Sequence, residues 1–192
     1  FVPRGAGTGL SGGAHATEGS ILIECSRMNR ILEVDPADRF AVVQPGVVNA
    51  ELSAAIRQHG LFYAPDPSSQ QACTIGGNVA ENSGGPHTLK YGTTTNHVLA
   101  LEVVLPDGRV QRFGNRLGET SGFDWVGAIV GSEGTLGIVT EATVRLTPIP
   151  AAIETLLAIF DDVVPACRAV GRVIRSGVVP AAMEIVDRRT IE

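Results

Sequence analysis

Three stretches of this 192-residue chain combine small residues with hydrogen-bonding side chains in a way that suits contact between backbone and ligand. The first, VPRGAGTGLSGGA (residues 2–14), has glycine at 5, 7, 9, 12 and 13 and a single arginine, Arg4. The second is made of PDPSS (65–69) and CTIGGNVAENSGG (73–85), and the third is GSEGTLGIVT (131–140). Successive N–H groups in a run free of side-chain bulk form a concavity of positive potential, which binds an anion without any helix. Any one such loop could be an unliganded surface turn. Three in one chain suit a single long ligand with a flat part, a sugar-like chain and phosphates.

Simpler nucleotide fingerprints fail on context. Gly7-Thr8-Gly9-Leu10-Ser11-Gly12 reads as GxGxxG, and Glu33 follows at about the distance of a ribose-binding acid. That fingerprint must open a helix, whereas Gly12-Gly13 leads into a turn and then the strand-like SILIEC (20–25). No Gly-Lys-Ser/Thr follows, which excludes a Walker loop. His15, His59, His87 and His97 show no metal-ligand spacing, so no metal is expected within this chain. His59 suits the C-terminus of a helix. His87 and Lys90, in GGPHTLKYG, either border the second loop or sit in a plain turn. Trp125 is expected as a core anchor and Cys73 as a small packed residue.

Composition narrows the classes. At 44% hydrophobic and 18% charged residues the chain can bury a core. Fifteen basic against twenty acidic residues, with no basic cluster, exclude a nucleic-acid partner. Cys25, Cys73 and Cys167 are far apart and in no CxxC pattern, so no disulfide framework is expected and a reducing cytoplasm is the simplest home. No apolar run approaches the roughly 18 residues of a membrane span. The chain starts at Phe1, without Met and within a strand-like stretch, and is read as an internal piece of a longer protein.

The elements that must position these loops alternate between strand and helix patterns. RILEVDPADRFAVVQPG predicts a hairpin, and HVLALEVVLPDGRVQRFG a second one around Pro106-Asp107-Gly108. Residues 48–59 predict an amphipathic helix with Val48, Leu52, Ala55 and Ile56 on one face, Asn49 as N-cap and Gly60 as its stop. GNVAEN allows about two helical turns, a short helix is expected around Trp125, and Ile138 to Leu146 alternate as a strand. Pro148 and Pro150 mark a boundary between a strand-rich domain (1–150) and a second unit (151–192), expected as strand, helix (about 163–176), strand. The fold class is α+β.

VPRGAGTGLSGGA, PDPSSQQACTIGGNVAENSGG, LKYG and GSEGTLGIVTEATVRLTPIP, in this order, resemble the two-subdomain PCMH-type FAD-binding domain of the p-cresol methylhydroxylase and vanillyl-alcohol oxidase superfamily. Within it, the glycolate oxidase and D-lactate dehydrogenase branch is the most similar. The resemblance covers residues 1–150, and 151–192 resemble the start of that family's α+β substrate (cap) domain. It implies that Arg4, Gly5, Ala6, Gly7, Thr8, Gly9, Leu10 and Ser11 hold the FAD pyrophosphate. Pro65, Asp66, Thr74, Gly76, Gly77, Asn78, Asn82, Ser83 and Gly84 would line the flavin, ribityl chain and diphosphate. Glu133, Gly134, Gly137, Ile138 and Val139 would meet the adenosine end. Some relatives attach FAD covalently through a His in the first loop, at the place held here by Thr8. His15 lies beyond that place, so non-covalent FAD is expected.

The reaction implied is hydride transfer from the Cα–H of a small 2-hydroxy acid such as glycolate or D-lactate to flavin, giving the 2-oxo acid. A substrate-binding arginine, a base and any metal would come mostly from the cap, so no catalytic residue is named here. The electron acceptor is not legible, and partner subunits could tie a cytoplasmic protein to a membrane. Two alternatives stay open: the same fold acting on another alcohol or sugar, or a non-catalytic FAD- or nucleotide-binding subunit.

Overall fold

The structure is a computed structural model and describes residues 1–119 and 122–191. Strand β1 (Val2–Arg4) pairs in parallel with β2 (Leu22–Glu24), Arg4 standing opposite Glu24. Parallel neighbours need a crossover, usually helical. Residues 5–21 make it with no helix, as the glycine pattern predicts.

Strands β3 (Ile31–Asp35) and β4 (Phe40–Val43) form the first hairpin, whose turn is held by Asp35 Oδ1 accepting from the Ala37 and Asp38 amides, both at 2.9 Å. Helix α1 (Asn49–Ile56) follows, then β5 (Leu61–Phe62), α2 (Ile75–Glu81) and the single turn α3 (Thr88–Tyr91). Strands β6 (Val98–Val104) and β7 (Val110–Gly114) make the second hairpin through Gly108, whose φ of 83° needs a residue without Cβ. Helix α4 (Trp125–Ile129) leads to β8 (Ile138–Arg145), and β9 (Thr147–Pro148) pairs back onto β5.

The five longer strands form one antiparallel sheet in the order β3-β4-β8-β6-β7. Its inward residues, Ala41, Val43, Leu101, Val103, Ala142 and Val144, pack in one buried cluster with Leu52 and Ile56 of α1, Ile75 and Val79 of α2 and Ile129 of α4. Each large side chain among them contributes about 1.5–3 kcal/mol by leaving water. Elsewhere on the sheet Glu102 faces Glu141 across β6–β8, and Arg112 bridges both at 2.8 and 3.0 Å, which offsets the like charges. The architecture is α+β.

Several local expectations change. Asn49 does not cap α1. It is the helix's first residue, 1% exposed, and its Nδ2 donates to the Pro65 carbonyl at 2.8 Å, while Val48 occupies the cap position without a side-chain bond. Ala55 faces solvent, because the buried stripe runs through Asn49, Leu52 and Ile56 only. Gly60 does stop the helical segment, with φ 70°. Trp125 is 51% exposed and is not a core residue; its ring packs against Phe113 and Phe123 at the surface, while Val126 and Ile129 turn inward. After Pro150 only α5 (Val163–Arg175), capped by Asp162, and the short α6 (Arg188–Ile191) form among the described residues. The strands expected on either side of α5 do not. Their apolar residues, among them Leu156, Leu157 and Ile159, are exposed and have no neighbouring strand to pair with among the described residues.

Candidate functional site

The crossover loop after β1 lies over the start of α2. Thr74 caps that helix, its Oγ1 accepting from the Gly77 amide at 3.3 Å. A Cβ on Gly5 would overlap the same Thr74 oxygen. Beneath the helix, a Cβ on Gly76 would stand 2.5 Å from Pro45 Cβ, so Gly76 is what lets α2 seat against the β4–α1 connection. A helix start therefore does stand in the site. The sequence pointed to the amides of the first loop for the diphosphate; it allowed about two helical turns over GNVAEN, within α2, but did not mark Thr74 as their cap.

At the other end of α2, Asn82 takes a left-handed conformation (φ 49°) and closes the helix. The third loop docks there: the Gly131 amide donates to the Val79 carbonyl at 2.8 Å and the Glu133 amide to the Ala80 carbonyl at 2.9 Å. Glu133 is itself left-handed, φ 52°, which is uncommon for a residue with a side chain. Gly134 packs on Pro3, where a Cβ would stand 2.5 Å from Pro3 Cγ.

These contacts enclose a cleft of about 460 Å³. Its walls include Arg4, Gly5, Ala6, Gly7, Thr8, Gly9, Leu10 and Ser11 from the first loop. Thr74, Gly76, Gly77, Asn78, Ser83 and Gly84 come from the second, and Glu133, Gly134, Gly137, Ile138 and Val139 from the third. The structure thus brings together three segments far apart in sequence. Pro65, Asp66 and Asn82 lie outside the lining. The Pro65 carbonyl receives Asn49, Asp66 Oδ2 pairs with His87 Nδ1, and Asn82 Oδ1 accepts from the Thr95 amide at 2.9 Å, so all three brace the walls. His87, Lys90 and His15 are not in the lining either.

Sequence reasoning missed Glu81, Cys25, Pro45, Ser68 and Ser69. The two serines stood in the quoted PDPSS, a signal that was available. Glu81 enters through the hydrogen bond from Ser11 Oγ to its Oε2, 2.9 Å across seventy residues, which only packing could reveal.

The walls are mostly amide, hydroxyl and thiol, with Arg4, Glu81 and Glu133 as charged members. Arg4 is engaged by Glu24, Nε to Oε2 3.2 Å. Burial works against the Glu24 charge, but hydrogen bonds from Arg4 and Ser26 outweigh it and hold this carboxyl below its ordinary value. Burial pushes both lining thiols up: Cys25, to which the Glu24 charge adds, and Cys73, where the polar side chains of Ser69 and Asn78 nearby only partly offset it. They are neutral walls, not nucleophiles. Asn78 is 1% exposed, and neither its amide oxygen nor its amide nitrogen has a partner among the described residues. A buried amide unsatisfied at both ends is rare in a finished structure, and here it lines a cleft. A cradle of glycines and hydroxyls with an unpaired amide in its wall fits a large neutral-to-anionic ligand such as a dinucleotide.

The profile of the FAD binding domain family matches residues 1–114, and that of the FAD linked oxidases, C-terminal domain, matches residues 149–192. The chain belongs to the FAD-binding domain family. FAD is its cofactor.

Among curated proteins, the glycolate oxidase subunit GlcD of Escherichia coli is 50% identical over 99% of this chain and 38% of its own length. GlcD of Bacillus subtilis is 47% identical over 100% of this chain and 41% of its own length. A D-lactate dehydrogenase of Archaeoglobus fulgidus is 42% identical over 98% and 42%. The chain therefore spans about two-fifths of these relatives. Among solved structures, an alkyldihydroxyacetonephosphate synthase superposes with a TM-score of 0.77 at 29% identity, over 94% of this chain and 35% of that one. Among the described residues no helix is long and apolar enough to cross a membrane, and no group of three or more His, Cys, Asp or Glu side chains could hold a metal ion.

Proposed function

We propose that this chain is the FAD-holding part of a flavin-dependent oxidoreductase that converts a small 2-hydroxy acid, of the glycolate or D-lactate kind, to the 2-oxo acid. The carrying observation is the glycine-walled cleft with the unpaired Asn78 amide, in a chain 42–50% identical to glycolate oxidase and D-lactate dehydrogenase relatives. When bound, the flavin supplies the acceptor for the hydride leaving the substrate Cα–H.

The residues of this chain bind and orient. Amides of residues 4–11 face the diphosphate, in a loop that Gly5 seats on Thr74. Thr74, Gly76, Gly77, Asn78, Ser83 and Gly84 line the flavin, ribityl and diphosphate region, and residues 133–139 the adenosine end. Pro65, Asp66 and Asn82 act from behind the wall. The first loop presents Thr8 to the cleft where a covalent attachment would need a histidine, which supports non-covalent binding. The two domains divide near Pro150, and the substrate's carboxylate clamp and base belong to the second.

The test is anaerobic mixing of the full-length flavoprotein with glycolate, D-lactate, D-2-hydroxyglutarate, a primary alcohol and an aldonolactone. Bleaching by a hydroxy acid and not by the last two supports the proposal. A flavin that no hydroxy acid reduces would sink it. Acid precipitation should leave the flavin in the supernatant.

A further inference from the structure

Strand β7 is an outer strand of the five-stranded sheet and pairs only with β6 among the described residues. Of its residues, Val110–Gly114, only Phe113 is half-buried; the others are exposed. A groove of about 410 Å³ runs beside it, lined by residues 111–115, Glu119, Phe123 and Trp125. Successive strand residues point to opposite faces. A groove that touches Gln111, Arg112, Phe113 and Gly114 in turn therefore follows the edge of the strand, where backbone is offered, and not one face of the sheet. The far wall comes from a reversal of the chain. Gly114, left-handed at φ 75°, ends the strand, and Asn115 Oδ1 accepts from the Leu117 and Glu119 amides at 2.9 and 3.1 Å. Glu119, Phe123 and Trp125 then line the groove opposite β7.

An unpaired strand edge is a template for a further strand, and a slot between such an edge and a second wall takes an extended segment. The side chains say which kind. The chain is only 5% aromatic, yet Phe113 and Phe123 each lie 6.2 Å from Trp125 along this groove, and Phe123 is 81% exposed. The faces of such rings are negative and attract cations, Arg most often. Arg112, the one basic side chain in the lining, is held between Glu102 and Glu141, while Glu119 has no ion-pair partner among the described residues. Aromatic faces and surplus negative charge thus stand beside a free backbone edge. We propose that β7 and this groove form a docking site for an extended, arginine- or lysine-bearing segment of a partner protein. That segment pairs its backbone with β7 and lays a basic side chain against Trp125 and Phe123, next to Glu119. No residue of this site lines the glycine-walled cleft, so the inference does not depend on what the cleft holds.

The experiment is fluorescence anisotropy on the full-length protein with a labelled, end-capped peptide of alternating valine and arginine. Its controls are the glutamate counterpart and an arginine peptide N-methylated along both edges. The arginine peptide is expected to bind at least about tenfold more tightly than the glutamate peptide, and to weaken by about tenfold between about 0.05 M and about 0.5 M salt. N-methylation keeps the charge and removes the strand pairing, so it should cost about tenfold or more. The double variant Glu119→Gln, Phe123→Ala changes two exposed side chains. It should keep wild-type flavin content and Tm while losing about tenfold in affinity for the arginine peptide. Equal binding of the arginine and glutamate peptides, or of the parent and N-methylated peptides, overturns the proposal. A folded double variant with wild-type affinity overturns it too, and so does a full-length protein that binds none of the peptides, because its slot is then closed by its own chain. If the double variant does not fold, the peptide comparisons decide alone.

Discussion

Gly5 and Thr74, sixty-nine positions apart, lie so close that any side chain at residue 5 would overlap the Thr74 hydroxyl. That hydroxyl already caps α2 by accepting from Gly77. One oxygen thus seats the first loop and starts the helix of the second, and the two walls of the cleft meet there.

Gly5→Ala is therefore expected to damage both. The loop must lift or the cap must turn away, and a lost cap costs about 1 kcal/mol. The flavin-to-protein absorbance ratio after purification should fall to near zero, and the Tm of flavin-free protein should drop by about 2–4 °C. Wild-type flavin content in the variant would contradict the seating role.

Gly77→Ala should behave oppositely in the absence of flavin. A Cβ there meets only Thr74 Oγ1, at an ordinary 3.4 Å, and otherwise opens toward the cleft. Exchanging Gly for Ala inside a helix stabilises by about 0.5–1 kcal/mol. The flavin-free protein should melt slightly higher, while FAD titration shows affinity reduced by about tenfold or more. Unchanged affinity would mean that the cofactor does not approach this backbone.

These two glycines show how far the sequence could be read. The three loops, the two hairpins and their order were legible because turn chemistry and alternation are local. Which glycine packs on protein and which opens toward the cleft was not, since Gly5 and Gly77 look alike until Thr74 is placed between them. The same limit explains Glu81, which reaches the site through Ser11, and Trp125, whose aromatic bulk implied burial although the helix turns Val126 and Ile129 inward instead. Asn49 was misplaced for a related reason: its side chain bonds a carbonyl sixteen residues away, not its own helix. The strands expected around α5 had the right pattern, but pattern does not supply a pairing partner.

Acid should expose His97. Burial is the main cause that holds its imidazole below the ordinary histidine value, the Arg145 charge adds to it, and the Tyr91 carbonyl, 2.9 Å from Nε2, pulls the other way. Its Nδ1 is buried without a partner among the described residues, and the Tyr63 ring lies 6.1 Å away. Because the folded value lies below the unfolded one, the unfolded chain takes the proton first. His97 thus favours folding above about pH 6.5, and that contribution is lost as pH falls through and below this point. Thermal melts should show Tm falling between about pH 7 and about pH 5, with a shallower fall in His97→Gln. Parallel curves for the two proteins would remove His97 as the cause.

Asn78 sets stability against cofactor retention. Its amide is desolvated at both ends with nothing among the described residues to satisfy it, and a buried unsatisfied polar group costs about 1–3 kcal/mol. Asn78→Leu, with the same branching at Cγ and the same number of side-chain heavy atoms, removes that cost, so flavin-free protein should melt higher than wild type. The same change deletes the donor and the acceptor that the cleft offers its ligand, so FAD affinity should fall by about tenfold or more. Denaturation and FAD titration of the two proteins, run side by side without and with cofactor, give the answer. Opposite shifts mean that this position is kept polar for the ligand, whereas a variant less stable without flavin would mean that Asn78 serves the fold.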